Sequence, residues 1–219
     1  MMEMIVQFAI VVLAIASFFA VRYLPKKLFT SRRTNHRPSN QSRRHLAQAT
    51  QLLARARSTS DRNKSEALAK TALTEAETAL SLFPKDPAPY ILKSLALDLL
   101  GHKRSALRSL DLALASPRVR SIQGRERVEA LVRRAELKLA VNRKRRVDSA
   151  VADLEEAVRV SEGGGGGGGC GGVDARAFCV LGECYEFKGM KEEARRAFQE
   201  ALKMDPECGV ARRGLDRLG

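Results

Sequence analysis

The chain has 219 residues, a formal net charge of +14, only 5% aromatic residues and no tryptophan. That length holds about one or two domains, and the lack of segments alternating apolar with polar residues excludes a sheet protein and leaves the all-α class. The charge does not by itself specify nucleic acid, because the largest excess adjoins a hydrophobic segment instead of forming a stripe over a folded surface: residues 1–64 hold twelve Lys/Arg against Glu3 and Asp61, and residues 118–147 hold eleven against three acids, whereas residues 65–117 are neutral and residues 148–219 come to −4.

Met4 to Val21 contains no charged residue. At ~1.5 Å per residue this stretch reaches across a thin bilayer, so residues 1–24 are predicted to be a transmembrane anchor in which Arg22 snorkels and Pro25 stops the helix. Lys26, Lys27, Arg32, Arg33, Arg37, Arg43 and Arg44 follow, and the positive-inside rule then places everything C-terminal on the cytosolic side. A cleaved signal peptide ending near Ala14-Ile15-Ala16 is disfavoured, since Glu3 and no Lys or Arg precedes the apolar run. Residues 25–42 read as a basic linker lying along anionic head groups. Their composition also resembles an organelle transit peptide, against which the preceding span argues.

The remainder reads as paired helices. Residues 43–57 put Leu46, Ala49, Leu53 and Ala56 on one stripe; a polar loop, Ser58 to Lys64, leads to a second helix that Ser65 caps and that carries Ala72, Ala76 and Ala79. Asp86-Pro87 supplies a cap and a proline at the first helical position, followed by Tyr90, Ser94, Leu97, Gly101, Ala106, Leu110 and Ala113. Leu131 and Ala135, then Ala150, Leu154 and Ala157, mark a third pair. Between them Asn142 to Asp148 reads as a lengthened turn whose basic patch, Arg143, Lys144, Arg145 and Arg146, is taken as solvated in preference to a nuclear-localisation or phosphate-binding cluster. Residues 163–173 are a glycine-rich insertion. It matches G-x-G-x-x-G trivially, with no strand before it and no Lys-Ser/Thr after it, so it is no phosphate loop. Asp174 is expected to cap the next helix.

From Ala175 to Pro206 the pattern is sharpest. Phe178, Leu181, Gly182 and Tyr185 share one helical face, Gly189 stands at the turn, Ala194, Phe198 and Ala201 share a second face, and Pro206 closes the unit. This resembles the tetratricopeptide repeat (TPR), a 34-residue helix-turn-helix unit, with Phe178 where the family often has Trp. The resemblance implies an all-α, right-handed superhelical solenoid over residues 43–219. Its repeats are placed at about 43–86 (degenerate), 87–118, 128–162 and 175–208, followed by a capping helix, 209–219, that offers Val210, Leu215 and Leu218. Arg134 and Lys138 depart from the family's Leu and Tyr.

TPR arrays bind proteins, which is the function the resemblance implies. The groove would be lined by first helices, with Ile91, Leu95, Val132, Arg133, Glu136, Arg176, Cys179 and Glu183, and also Ala88 and Glu129, as candidate partner-binding residues. Heat-shock chaperone tails are gripped in the family by Lys, Asn and Arg at fixed places. Here those places are Ile91, Leu95, Arg133, Arg176 and Val180, so no such carboxylate clamp is expected. No catalytic residue, cofactor or metal is indicated: His36, His45 and His102 are scattered, and Cys170, Cys179, Cys184 and Cys208 form no metal-binding spacing. Cys179 and Cys184 point to different sides of one helix, and reduced thiols suit a cytosol-like compartment. The expected protein is a single-pass adaptor on the cytosolic face of the endoplasmic reticulum or of a mitochondrial or chloroplast outer membrane. Its partner is a protein and not nucleic acid. The alternative is an RNA- or anionic-lipid-associated protein acting through residues 118–147.

Overall fold

The structure is a computed structural model that describes residues 40–115, 117–163 and 171–219. The expected anchor, Met4 to Val21, the linker as far as residue 39 and residues 164–170 of the glycine run lie outside the described residues. Among the described residues no helix is long and apolar enough to cross a membrane.

The described residues form helices α1 (Asn40–Ser58), α2 (Arg62–Leu82), α3 (Ala88–Leu99), α4 (Lys103–Leu114), α5 (Gly124–Gly163), α6 (Gly171–Phe187), α7 (Lys191–Met204) and α8 (Gly209–Leu218), with a 3-10 turn at Arg118–Ser121. Asn142, at φ −164° and ψ 95°, breaks α5 into two helices. Each helix packs chiefly on its neighbours in sequence, while α1 also meets α3 and α8 also meets α6. The result is a row of helical hairpins, an all-α TPR-like solenoid. Small residues set the spacing: Ala69, Ala72, Ala76 and Ala79 of α2 are all fully buried, as are Ala106 and Ala113 of α4 and Ala194 and Ala201 of α7. One methyl group per contact lets backbones approach closely while the larger Leu53, Leu110, Leu131 and Leu154 fill the gaps beside them.

The turns correct several expectations. Helix α1 starts at Asn40, inside the expected linker, and buries Ser42. Asp61, not Ser65, caps α2, accepting from the amides of Asn63 and Lys64 at 2.9 and 3.4 Å, while the Ser65 hydroxyl donates to the Ala56 carbonyl at 2.7 Å. The first hairpin therefore turns in three residues, 59–61, a shorter loop than the expected Ser58 to Lys64. In the second hairpin Pro87 stands at the cap position, and the Asp86 carboxylate before it accepts from the Ala88 amide at 3.0 Å.

Gly101 and Gly189 occupy the same place in their hairpins and are both left-handed, at φ 80° and 78°. The amide just after each donates five residues back, His102 to Leu97 at 2.8 Å and Met190 to Tyr185 at 2.9 Å, a glycine-terminated helix end. The third hairpin does otherwise. Asn142 stands where those glycines stand, stays extended, and accepts from the Arg145 amide at 3.0 Å. It thus caps the helix that follows. Arg143 to Arg146 are that helix's first turn and not the lengthened loop expected. Similarly, α6 opens at Gly171, which puts Asp174 inside the helix instead of before it. In α8, Ala211 and Gly214 are buried whereas Val210, offered as a core residue, is exposed.

Candidate functional site

The first helix of each hairpin contributes to one shared surface. A cavity of about 570 Å³ opens there, lined from α1 by Leu46, Thr50 and Arg57, from α3 by Ala88, Ile91, Leu92 and Leu95, from the first half of α5 by Glu126, Glu129, Ala130, Val132 and Arg133, and from α6 by Arg176. These side chains come together because residues at i, i+3, i+4 and i+7 share a helix face, as Ala88, Ile91 and Leu95 do along α3. Leu110 of α4 also contributes to the wall.

Ionic side chains stand around this apolar lining. Arg176 forks onto Glu136, with Nε and Nη2 each 2.6 Å from a carboxylate oxygen. Arg133 lies 3.8 Å from both Asp98 and Glu136, and Asp98 also pairs with Lys103 at 2.5 Å. Arg57 differs from these, for it makes no ion pair among the described residues. Partial desolvation, and next the charge of Arg133, hold its guanidinium below the ordinary value, although an arginine stays protonated in any case. The groove thus has an apolar floor, three converging guanidinium groups and carboxylates already engaged with two of them.

Of the residues expected in the groove, Ile91, Leu95, Val132, Arg133 and Arg176 line the cavity, and Glu136 sits at its edge through its two arginines. Cys179 does not line it. Its thiol is buried with Ala194, Phe198, Ala201 and Ala211, and burial, then contact with Cys208, pushes it up to about 12. Glu183 lies elsewhere too, 3.5 Å from Arg143. The α1 residues Leu46, Thr50 and Arg57 were missed because residues 43–57 match the repeat pattern poorly. Their helical spacing was the available signal.

The basic patch is split by the fold. Arg143 lies over the Phe187 ring, 5.4 Å from its centroid, as well as beside Glu183. Lys144, Arg145 and Arg146 are exposed. Of the repeat signature residues, Ala194, Phe198 and Ala201 share one cluster and Leu181 belongs to the neighbouring one; Phe198 is fully buried, and a Cβ on Gly182 would come within 2.6 Å of its ring. Tyr185 instead reaches across to the third hairpin, donating to Glu155 at 2.9 Å. Burial and then that bond push its phenol up to about 12. Pro206 is exposed in the turn after α7. Among the described residues no group of His, Cys, Asp and Glu is arranged to hold a metal ion.

Residues 175–208 match the family model described as tetratricopeptide repeat. Solved structures extend the likeness over most of the chain. The crystal structure of the APC/C hetero-tetramer Cut9–Hcn1 aligns at a TM-score of 0.63 and 15% identity over 81% of this chain, which spans only 29% of that one. A thermophilic TPR protein of Thermus thermophilus aligns at 0.54 and 20% identity over 81% of this chain and 80% of its own. MamA of Desulfovibrio magneticus RS-1 aligns at 0.57 and 18% identity over 83% and 95%. At these identities the likeness is one of fold. No curated protein sequence matches the chain significantly.

Proposed function

We propose, from a fold that is a TPR-like solenoid, that the chain is a non-catalytic adaptor whose groove holds a segment of a partner protein. The observation that carries this reading is the cavity of about 570 Å³, with its apolar floor and guanidinium rim. Its volume falls within the range of pockets that bury a ligand's side chains, and its lining suits a segment that presents apolar residues inward and polar or acidic groups at the edge. TPR repeats supply such surfaces by stacking. The Cut9–Hcn1 structure is of a hetero-tetramer, and assembly with another protein is the use we assign here too.

In the same proposal Met4 to Val21 anchors the chain, and the basic residues from Arg22 to Arg44 keep the groove on the cytosolic face of an organelle membrane. The support is the eighteen-residue run without charge and the basic segment after it. Proximity labelling in intact cells with the full chain tests both halves. A membrane-resident neighbour set that loses specific proteins on Arg57→Glu or Leu95→Asn supports the adaptor. An unchanged set in those variants, or full-length chain in the soluble fraction after alkaline carbonate extraction, refutes the corresponding half. The exposed Lys144, Arg145 and Arg146 favour the second reading, binding to RNA or anionic lipid. Steeply salt-dependent binding of RNA or anionic vesicles, lost when those three are neutralised, would establish it in place of the adaptor.

A further inference from the structure

We propose that Cys179 and Cys208 are a modification site, a pair that forms a reversible disulfide stapling α8 onto α6. The inference goes beyond the partner-binding reading and does not rest on it. The two sulfur atoms lie 2.9 Å apart across 29 residues of sequence, and both are free thiols. That separation exceeds the ~2.05 Å of a disulfide bond by less than about 1 Å, so closure asks for a small movement of two side chains and not of helices.

The two members differ in access. Cys179 is 5% exposed beneath α8, against Ala194, Phe198 and Ala211. Cys208 is half-buried at the cap position just before α8. Cys184, fully buried, belongs to another cluster with Leu181 and Ala197. An incoming reagent therefore meets Cys208 first. With a low-molecular-weight disulfide such as oxidised glutathione, Cys208 loses its proton to solvent and attacks one glutathione sulfur. This forms a mixed disulfide and releases one glutathione thiolate. Cys179 then gives up its proton, attacks the Cys208 sulfur and expels the second glutathione. Each leaving thiolate takes up a proton. Two protein thiols are oxidised and one glutathione disulfide is reduced to two thiols. Burial pushes the Cys179 thiol up to about 12, which keeps it quiet toward bulk reagents and leaves its reaction to the neighbour already in contact.

The test uses the purified full chain in glutathione buffers of increasing oxidised fraction. Peptide mass mapping should show Cys179 joined to Cys208 with the loss of two hydrogens. Amide exchange across α8 should slow at least about tenfold, because a closed loop restricts local opening, and dithiothreitol should reverse both changes. Cys208→Ser, at the more exposed position, should abolish the bond without unfolding the chain, and Cys184→Ser should leave it intact. The proposal is overturned if both thiols remain free under conditions that oxidise glutathione-responsive controls. It is equally overturned if Cys208 stops at a glutathione adduct that Cys179 does not resolve, or if Cys208 pairs with Cys170.

Discussion

The third and fourth hairpins solve one packing problem with opposite chemistry. In the fourth, Phe198 is fully buried between two glycines: a Cβ on Gly182 would come within 2.6 Å of the ring, and one on Gly214 of α8 within 2.5 Å. In the third, the places that hold Leu181 and Tyr185 in the fourth are held by Arg134 and Lys138. Both converge on Asp153, which is 5% exposed. Arg134 forks onto it at 2.9 and 2.6 Å, and Lys138 Nζ lies 2.6 Å from one of its oxygens. An apolar clasp depends on shape, and its failure leaves a void. An ionic clasp depends on balance, and its failure leaves charge out of water. The first tolerates no added atom, whereas the second tolerates replacement of all its members at once better than the loss of one.

The largest effect should come from Phe198→Ala, expected to cost about 3–5 kcal/mol and to loosen α7 and α8 together. Amide exchange confined to residues 171–219 would show it, and equal loosening of α1 to α4 would contradict the local clasp. Asp153→Ala comes next, at about 2–4 kcal/mol, below the figure for a wholly buried pair because Arg134 and Lys138 keep 18% and 12% exposure. Changing all three, Arg134→Leu, Lys138→Tyr and Asp153→Ala, should recover most of that loss in denaturant melts. If the triple variant is weaker than Asp153→Ala alone, the cluster is more than a substitute for apolar packing. Gly182→Ala should cost about 1–3 kcal/mol by overpacking Phe198, and pairing it with Phe198→Leu should relieve the strain. Asn142→Ala should cost about 1 kcal/mol, the worth of a helix cap, read as a small drop in melting temperature with the third hairpin still formed.

A titration separates the two hairpins at the smallest scale. In the reduced protein Cys179 and Tyr185 are raised to about 12 and Cys184 to about 11, burial being the largest cause for each. Their unfolded values lie near ~8.5 for cysteine and ~10 for tyrosine. The folded chain therefore keeps protons that the unfolded chain releases first. This stability is complete below about pH 8.5 and drains away as the pH rises toward the folded values. Exchange measured from about pH 8 to 10.5, corrected for intrinsic rates, should show the fourth hairpin loosening before the third. The reverse order would contradict the assignment.

What could be read in advance follows from which interactions are local in sequence. Phe178, Leu181, Gly182, Tyr185, Ala194, Phe198 and Ala201 were legible as a hairpin because size at fixed spacing reports contacts within one unit. The second wall of Phe198 was not, since Gly214 lies beyond the repeat. Arg134 and Lys138 looked like departures from the pattern because their compensation, Asp153, sits 15 to 19 residues away on the partner helix. The helical state of Arg143 to Arg146 was hidden because a run of cations at a helix start opposes the helix dipole. The fold offsets this with the Asn142 cap, the Phe187 ring and Glu183. Seven of the ten groove candidates, Ala88 and Glu129 among them, line the cavity. Cys179 was misplaced because α8 covers the face it occupies, and the α1 wall was overlooked for want of a repeat signature there.

The contacts that join the third hairpin to the fourth include Arg176 with Glu136 at 2.6 Å, Tyr185 with Glu155 at 2.9 Å and Lys188 with Asp148 at 2.7 Å. All of them lie outside residues 164–170. Arg176 and Lys188 keep 49% and 32% exposure, so added salt should weaken this joint between the hairpins more than the buried contacts within them.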